Sequence, residues 1–139
     1  MGKGKGTWRQ QELSHYGDAF RWLALPEAED TYREARKYDC QERWGLDPAT
    51  VDGIEHYDAR GKEEAATEWL QQRFGKAASV LVVFGDVDVA LVPAAVLVAE
   101  WPNIFMPSRD DAIVLADDRS WVAFYQHEDR WEWGRPFEM

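Results

Sequence analysis

Two polar stretches flank one apolar segment: Ser108-Arg109-Asp110-Asp111 leads into it and His127-Glu128-Asp129 leads out. Carboxylates beside an imidazole could hold a divalent metal, with zinc, manganese or non-haem iron suited to such donors. The candidate metal ligands are Asp110, Asp111, His127 and Glu128. The same groups could instead pair a general base with an acid, or with Arg109 form a binding surface. A structural use is also open: aspartates cap loop amides, His127 could hydrogen-bond them, and Arg109 could neutralise them.

Any of these chemistries requires the two stretches to meet, so the segment between them matters. Ala112 to Ala116 and Trp121 to Gln126 are runs of β-branched, aromatic and other apolar residues, separated by Asp117-Asp118-Arg119-Ser120. That pattern predicts a β-hairpin with a loop of about four residues. Alternation puts Trp121, Ala123 and Tyr125 on one face and Val122, Phe124 and Gln126 on the other. Both faces are largely apolar, so this strand should be covered on both sides or lie centrally. An antiparallel hairpin returns its end to its start, which places Asp110, Asp111, His127 and Glu128 within roughly 10 Å of one another.

Eight tryptophans make up the second chemical signal. Trp69, Trp101 and Trp121 fall on inner faces and read as core. Trp131 and Trp133 follow the acidic cluster on an expected edge strand, and Trp is prominent in binding hot spots, so these two are candidates for a binding surface. His15 and His56 have no ligand-spaced partners and read as surface histidines. Cys40 sits near Asp39 and Glu42, whose negative charge disfavours a thiolate. Ser108 and His127 do not make a triad without a nucleophile elbow, and no P-loop, dinucleotide, zincin or EF-hand string is present.

The remaining segments supply the scaffold. Residues 1–6, MGKGKG, read as a flexible tail, and 7–139 as a single domain. Thr7 followed by Gln10 resembles a capping box. Trp8, Leu13, Tyr16, Phe20 and Leu23 then follow a helical stripe that could break near Ser14. Pro26 opens a second helix, with acids early and Arg33, Arg36 and Lys37 late, as the helix dipole favours. Asp47-Pro48 suggests a short helical turn reaching about Ile54. Gly61 to Phe74 is the clearest helix, with Ala65, Ala66, Trp69, Leu70 and Phe74 on one stripe and Gly75 as its stop. Ser79 to Phe84 and Val87 to Val92 form a first hairpin. Pro93 to Trp101 reads as a short helix ended by Pro102, and Arg130 to Trp133 as a last edge strand. The expected fold is α+β: N-terminal helices packed on one face of a C-terminal antiparallel sheet of about four to five strands.

Lys and Arg number 16 against 26 Asp and Glu, a formal net charge of −10. Nucleic-acid binding is disfavoured, because it draws on clustered cations, and so is binding to anionic membranes. An acidic surface favours a basic partner and also keeps a chain soluble. One cysteine allows no intramolecular disulfide, and the absence of an apolar leader or membrane-length run fits a cytoplasmic setting.

The string Pro107-Ser108-Arg109-Asp110-Asp111, a strand, then Trp121-Val122-Ala123-Phe124-Tyr125-Gln126-His127-Glu128-Asp129 and Trp133-Gly134 resembles the C-terminal half of an uncharacterised group of small bacterial proteins. Val89 to Pro93 and Trp101 are similar too, so the resemblance spans Asp88 to Gly134. It implies a bacterial source and an α+β domain, and supplies no catalytic residues. Several small acidic bacterial proteins of this style sit beside toxins as immunity partners, an analogy of size and charge only. The expectation is therefore a non-catalytic protein-binding module, immunity- or antitoxin-like, with a basic protein partner and no cofactor. The alternative is a metal-dependent hydrolase or small-ligand protein built on the 112–126 hairpin end.

Overall fold

The computed structural model describes residues 6–137; apart from Gly6, the expected N-terminal tail lies outside them. The β-strands are β1 (Arg21–Trp22), β2 (Val51–Asp58), β3 (Ser79–Val83), β4 (Val89–Pro93), β5 (Ala112–Ala116), β6 (Val122–Gln126) and β7 (Arg130–Pro136). The α-helices are α1 (Trp8–Glu12), α2 (Leu25–Arg36), α3 (Glu63–Phe74) and α4 (Ala94–Ile104). The strands form one antiparallel sheet of seven in the order β1-β4-β3-β5-β6-β7-β2. The architecture is α+β as expected, but the sheet is larger than four to five strands. The helices are also not all N-terminal, since α4 carries the chain from β4 to β5.

Nor do the helices share one face. Alternation along each strand sends Val80, Val82, Val114, Ala123, Tyr125 and Trp131 towards α3 and α4. It sends Leu81, Val83, Ile113, Leu115, Val122 and Phe124 towards α2, where Ala28 and Ala35 are fully buried. All five residues of β5 and all five of β6 are therefore buried, matching the two-sided apolar pattern of the sequence. The β5–β6 hairpin forms with the expected Asp117 to Ser120 loop, and Leu115 lies opposite Val122.

Two local expectations are corrected, and the expected break near Ser14 is seen. The helix begun at Thr7, whose hydroxyl accepts the Gln10 N–H at 3.2 Å, stops at Glu12. A 3₁₀ segment, Ser14–Ala19, takes over and is broken by Gly17 at φ 56°; Leu23 lies beyond it, outside any helix. The chain after Pro48 makes only a turn before entering β2, which pairs with β7 around a bulge between Asp52 and Glu55. Pro102 does not end α4: its fixed φ suits a helix, and the helix runs to Ile104, closing with Phe105 N–H on the Trp101 carbonyl at 3.0 Å. No helix of the described residues is long and apolar enough to cross a membrane.

Candidate functional site

The open end of the β5–β6 hairpin does bring its two flanks together. The Asp111 Oδ1 accepts the backbone N–H of His127 at 3.0 Å and lies 2.9 Å from its ring Nδ1. The backbone N–H of Ser108, a residue at φ 70°, donates to the His127 carbonyl at 2.6 Å.

Asp110 is one residue away and on the other side of the sheet. It is 2 % exposed and lies towards α1 and α4. Its carboxylate accepts the Met106 N–H at 2.8 Å and the Arg109 guanidinium at 3.0 and 2.9 Å, and pairs with Arg9 at 3.0 Å. Arg9 is itself buried, its guanidinium 4.3 Å from the Phe84 ring centre and 4.6 Å from that of Trp8. Burial pushes the Asp110 carboxyl up, but the hydrogen bonds from Arg109, Arg9 and Met106 outweigh it and hold the group below the usual carboxylate range. Arg109 also grips Glu12, at 2.8 and 3.0 Å, so its charge is spent on tying α1 to this loop.

Glu128 stands exposed in the turn between β6 and β7. That turn closes with Asp129 N–H on the Gln126 carbonyl at 2.8 Å, Asp129 taking φ 63°. The four proposed ligands thus divide: Asp111 and His127 touch, while Asp110 is sealed on the opposite face. Among the described residues, no group of three or more His, Cys, Asp or Glu side chains is placed to hold a metal ion.

Trp131 and Trp133 are not a rim. β7 is flanked by β6 and β2 rather than lying at the edge, and the two indoles are 0 % and 6 % exposed on the α3 face. Trp131 packs edge-on against Phe74, Trp101 and Phe105. The aromatic residues near this end that do reach solvent are Trp44, 57 % exposed, and Trp8, which packs on Arg9 and Arg109.

The α2 side of this end holds the residues that sequence reasoning passed over. A cleft of about 190 Å³ is lined by Tyr32, Arg36, Asp39, Trp44, Asp111 and Phe124, among others. Trp44 meets the His127 ring edge-on, centroids 5.4 Å apart. Burial pushes the Asp39 carboxyl above its usual range; Arg36, at 3.9 Å, opposes this and the charge of Asp111 adds to it. Two carboxylates with one weakly engaged arginine leave an acidic recess suited to a cation.

A buried carboxylate on β7 anchors the loop carrying Trp44. Glu132 accepts the Leu46 N–H at 2.9 Å, pairs with Arg43 at 2.9 Å and lies 3.2 Å from the His56 Nδ1. Gly45, at φ 148°, passes so close that an added Cβ would stand 2.7 Å from a Glu132 oxygen. The positive φ favours glycine there. One sequence signal could have found this loop: Trp44 is a large aromatic at the end of a polar run, Gln41-Glu42-Arg43, and is followed directly by Gly45.

Comparisons with protein-family models, with curated proteins and with solved structures find no match to this chain. The functional reading rests on its own residues.

Proposed function

We propose that this is a non-catalytic binding module for a basic protein partner, in an immunity- or antitoxin-type role in the bacterial cytoplasm. One observation carries the reading: Asp39 and Asp111 open on a single cleft walled by the solvent-exposed Trp44. A lysine or arginine side chain from the partner would enter between the carboxylates, where each is poorly neutralised from within. Trp44 offers a flat face for its hydrocarbon stem or charge. The chain's net charge of −10 would speed the encounter.

The metal-dependent alternative is weakened by the placement of its ligands. Asp110 is committed to Arg9 and Arg109 across the sheet, and Glu128 does not contact the Asp111–His127 pair. What is left is a dyad rather than a ligand set.

The test is capture from extracts of the native host at low and at high salt. A basic protein should be retained at low salt, released at high salt, and lost when Trp44→Ala or Asp39→Asn combined with Asp111→Asn is used as bait. Retention unaffected by those substitutions would refute the site; no basic protein retained at low salt would refute the function.

A further inference from the structure

A second cleft lies at the other end of the β5–β6 hairpin and on the other face of the sheet, beneath the C-terminal end of α3. Its volume is about 460 Å³, and its walls include Arg73, Lys76, Ser120, Trp121, Trp133 and Arg135. Two carboxylates, Glu55 and Asp118, complete the charge inventory. In a chain carrying −10 overall, a cleft with three cations against two acids is an inversion of the local field.

The acids are already engaged. Glu55 accepts from the Arg73 Nε at 2.9 Å, and Arg73 also donates to the Trp69 carbonyl at 3.0 Å. Asp118 accepts the Ser120 N–H at 2.9 Å. Among the described residues, neither Lys76 nor Arg135 has a carboxylate partner. The Arg135 guanidinium lies over the Trp133 ring, 4.8 Å from its centre.

Trp133 supplies an independent sign. It is 6 % exposed, and its Nε1 is enclosed with no acceptor. Buried donors are normally paired. Trp131 Nε1 lacks an oxygen partner too, but its indole is surrounded edge-on by aromatic rings that can take weak N–H contacts. Trp133 has no such aromatic neighbour among the described residues. Beside it Trp121 stacks on Phe74, centroids 4.3 Å apart, which fixes a flat wall.

We propose that this cleft binds a small ligand joining an oxyanion, phosphate or carboxylate, to a planar ring. Lys76 and Arg135 take the oxyanion. The Trp133 Nε1–H donates to the ligand, and the ring lies along Trp121. The volume falls in the range of small-molecule sites. The assignment is independent of the acidic recess, so either can fail alone.

The experiment is a titration of the full chain followed by ¹H–¹⁵N spectra, with adenosine monophosphate, benzoate and inorganic phosphate as probes. A ring-bearing probe should shift the Trp133 indole N–H and the amides around Lys76 and Arg135 along one saturable curve. Comparing the two ring-bearing probes tells phosphate from carboxylate. The exposed pair Lys76→Gln and Arg135→Gln, made together, should weaken binding by about tenfold or more, a readily measured step in affinity. Trp133→Phe keeps a ring but removes the donor, and should weaken binding severalfold while circular dichroism shows an intact fold. No saturation by about 10 mM of any probe, far weaker than a millimolar site, overturns the proposal. So does undiminished binding by the Lys76/Arg135 double variant. Equal affinity for inorganic phosphate and adenosine monophosphate overturns the planar-ring part.

Discussion

Asp110 and Asp111 are neighbours in the chain and opposites in the molecule. Asp110 turns towards α1 and α4, where two arginines and an amide close around it. Asp111 turns towards α2, into a recess it shares with His127 and Asp39. One step of strand alternation separates a sealed ion pair from an open acid. A carboxylate that is fully enclosed by its partners serves the fold; one left under-neutralised beside solvent is available to a ligand.

The sharpest way to break this contrast is Asp110→Ala. It strands Arg9 between Trp8 and Phe84 without a counter-charge, and should cost about 3 to 5 kcal/mol in urea denaturation, the usual penalty for halving a buried pair. Acid offers the same test without a complete truncation. Because the folded Asp110 carboxyl is held down, its stabilisation is complete above the unfolded value of about 3.9 and is lost as pH falls through the folded value. Wild-type stability should therefore fall more steeply below that pH than the stability of Asp110→Asn; parallel curves would refute the account.

Glu132→Ala comes next. Removing the carboxylate frees Arg43 and the Leu46 amide, and should cost about 2 kcal/mol. Hydrogen exchange at Leu46 should accelerate, reporting the release of the Trp44 loop. Asp111→Asn should be milder, within about 1 kcal/mol, since one side-chain contact and one backbone acceptor change in a half-exposed place. Its larger effect should be on partner capture. Asp39→Asn should give the smallest change in stability and the opposite sign. The folded Asp39 pKa is raised, so ionisation burdens the fold above that pKa and the burden lifts as pH falls through it. At neutral pH the variant should melt slightly higher than wild type while losing the basic partner. A lower melting point would count against a strained, ligand-seeking carboxylate.

The sequence made β5 and β6 visible because both faces of each strand are apolar and the turn is short and polar. The meeting of Asp111 with His127 followed from that hairpin alone. What alternation did not reveal was the consequence for Asp110, although the period-2 rule already separates adjacent side chains. β2 was hidden for another reason. Val51 to Asp58 is half polar, contains Gly53, and owes its extended form to β7, more than seventy residues later. Missing it made β7 look like an edge and Trp131 and Trp133 look exposed. The Asp39–Trp44 recess is a tertiary product of α2, a loop and three strands, and only Trp44 hinted at it locally.

Both margins of the sheet also bear on behaviour at high concentration. One margin is β1, only Arg21–Trp22. The other, β2, is bent by its bulge and carries Asp52, Glu55, His56 and Asp58. A neighbouring molecule seeking to extend the ladder meets too few free amides on one side and a kinked, charged row on the other. Brevity and curvature thus stand guard against fibrous self-association, while Trp101, Tyr125 and Trp131 stay locked inside.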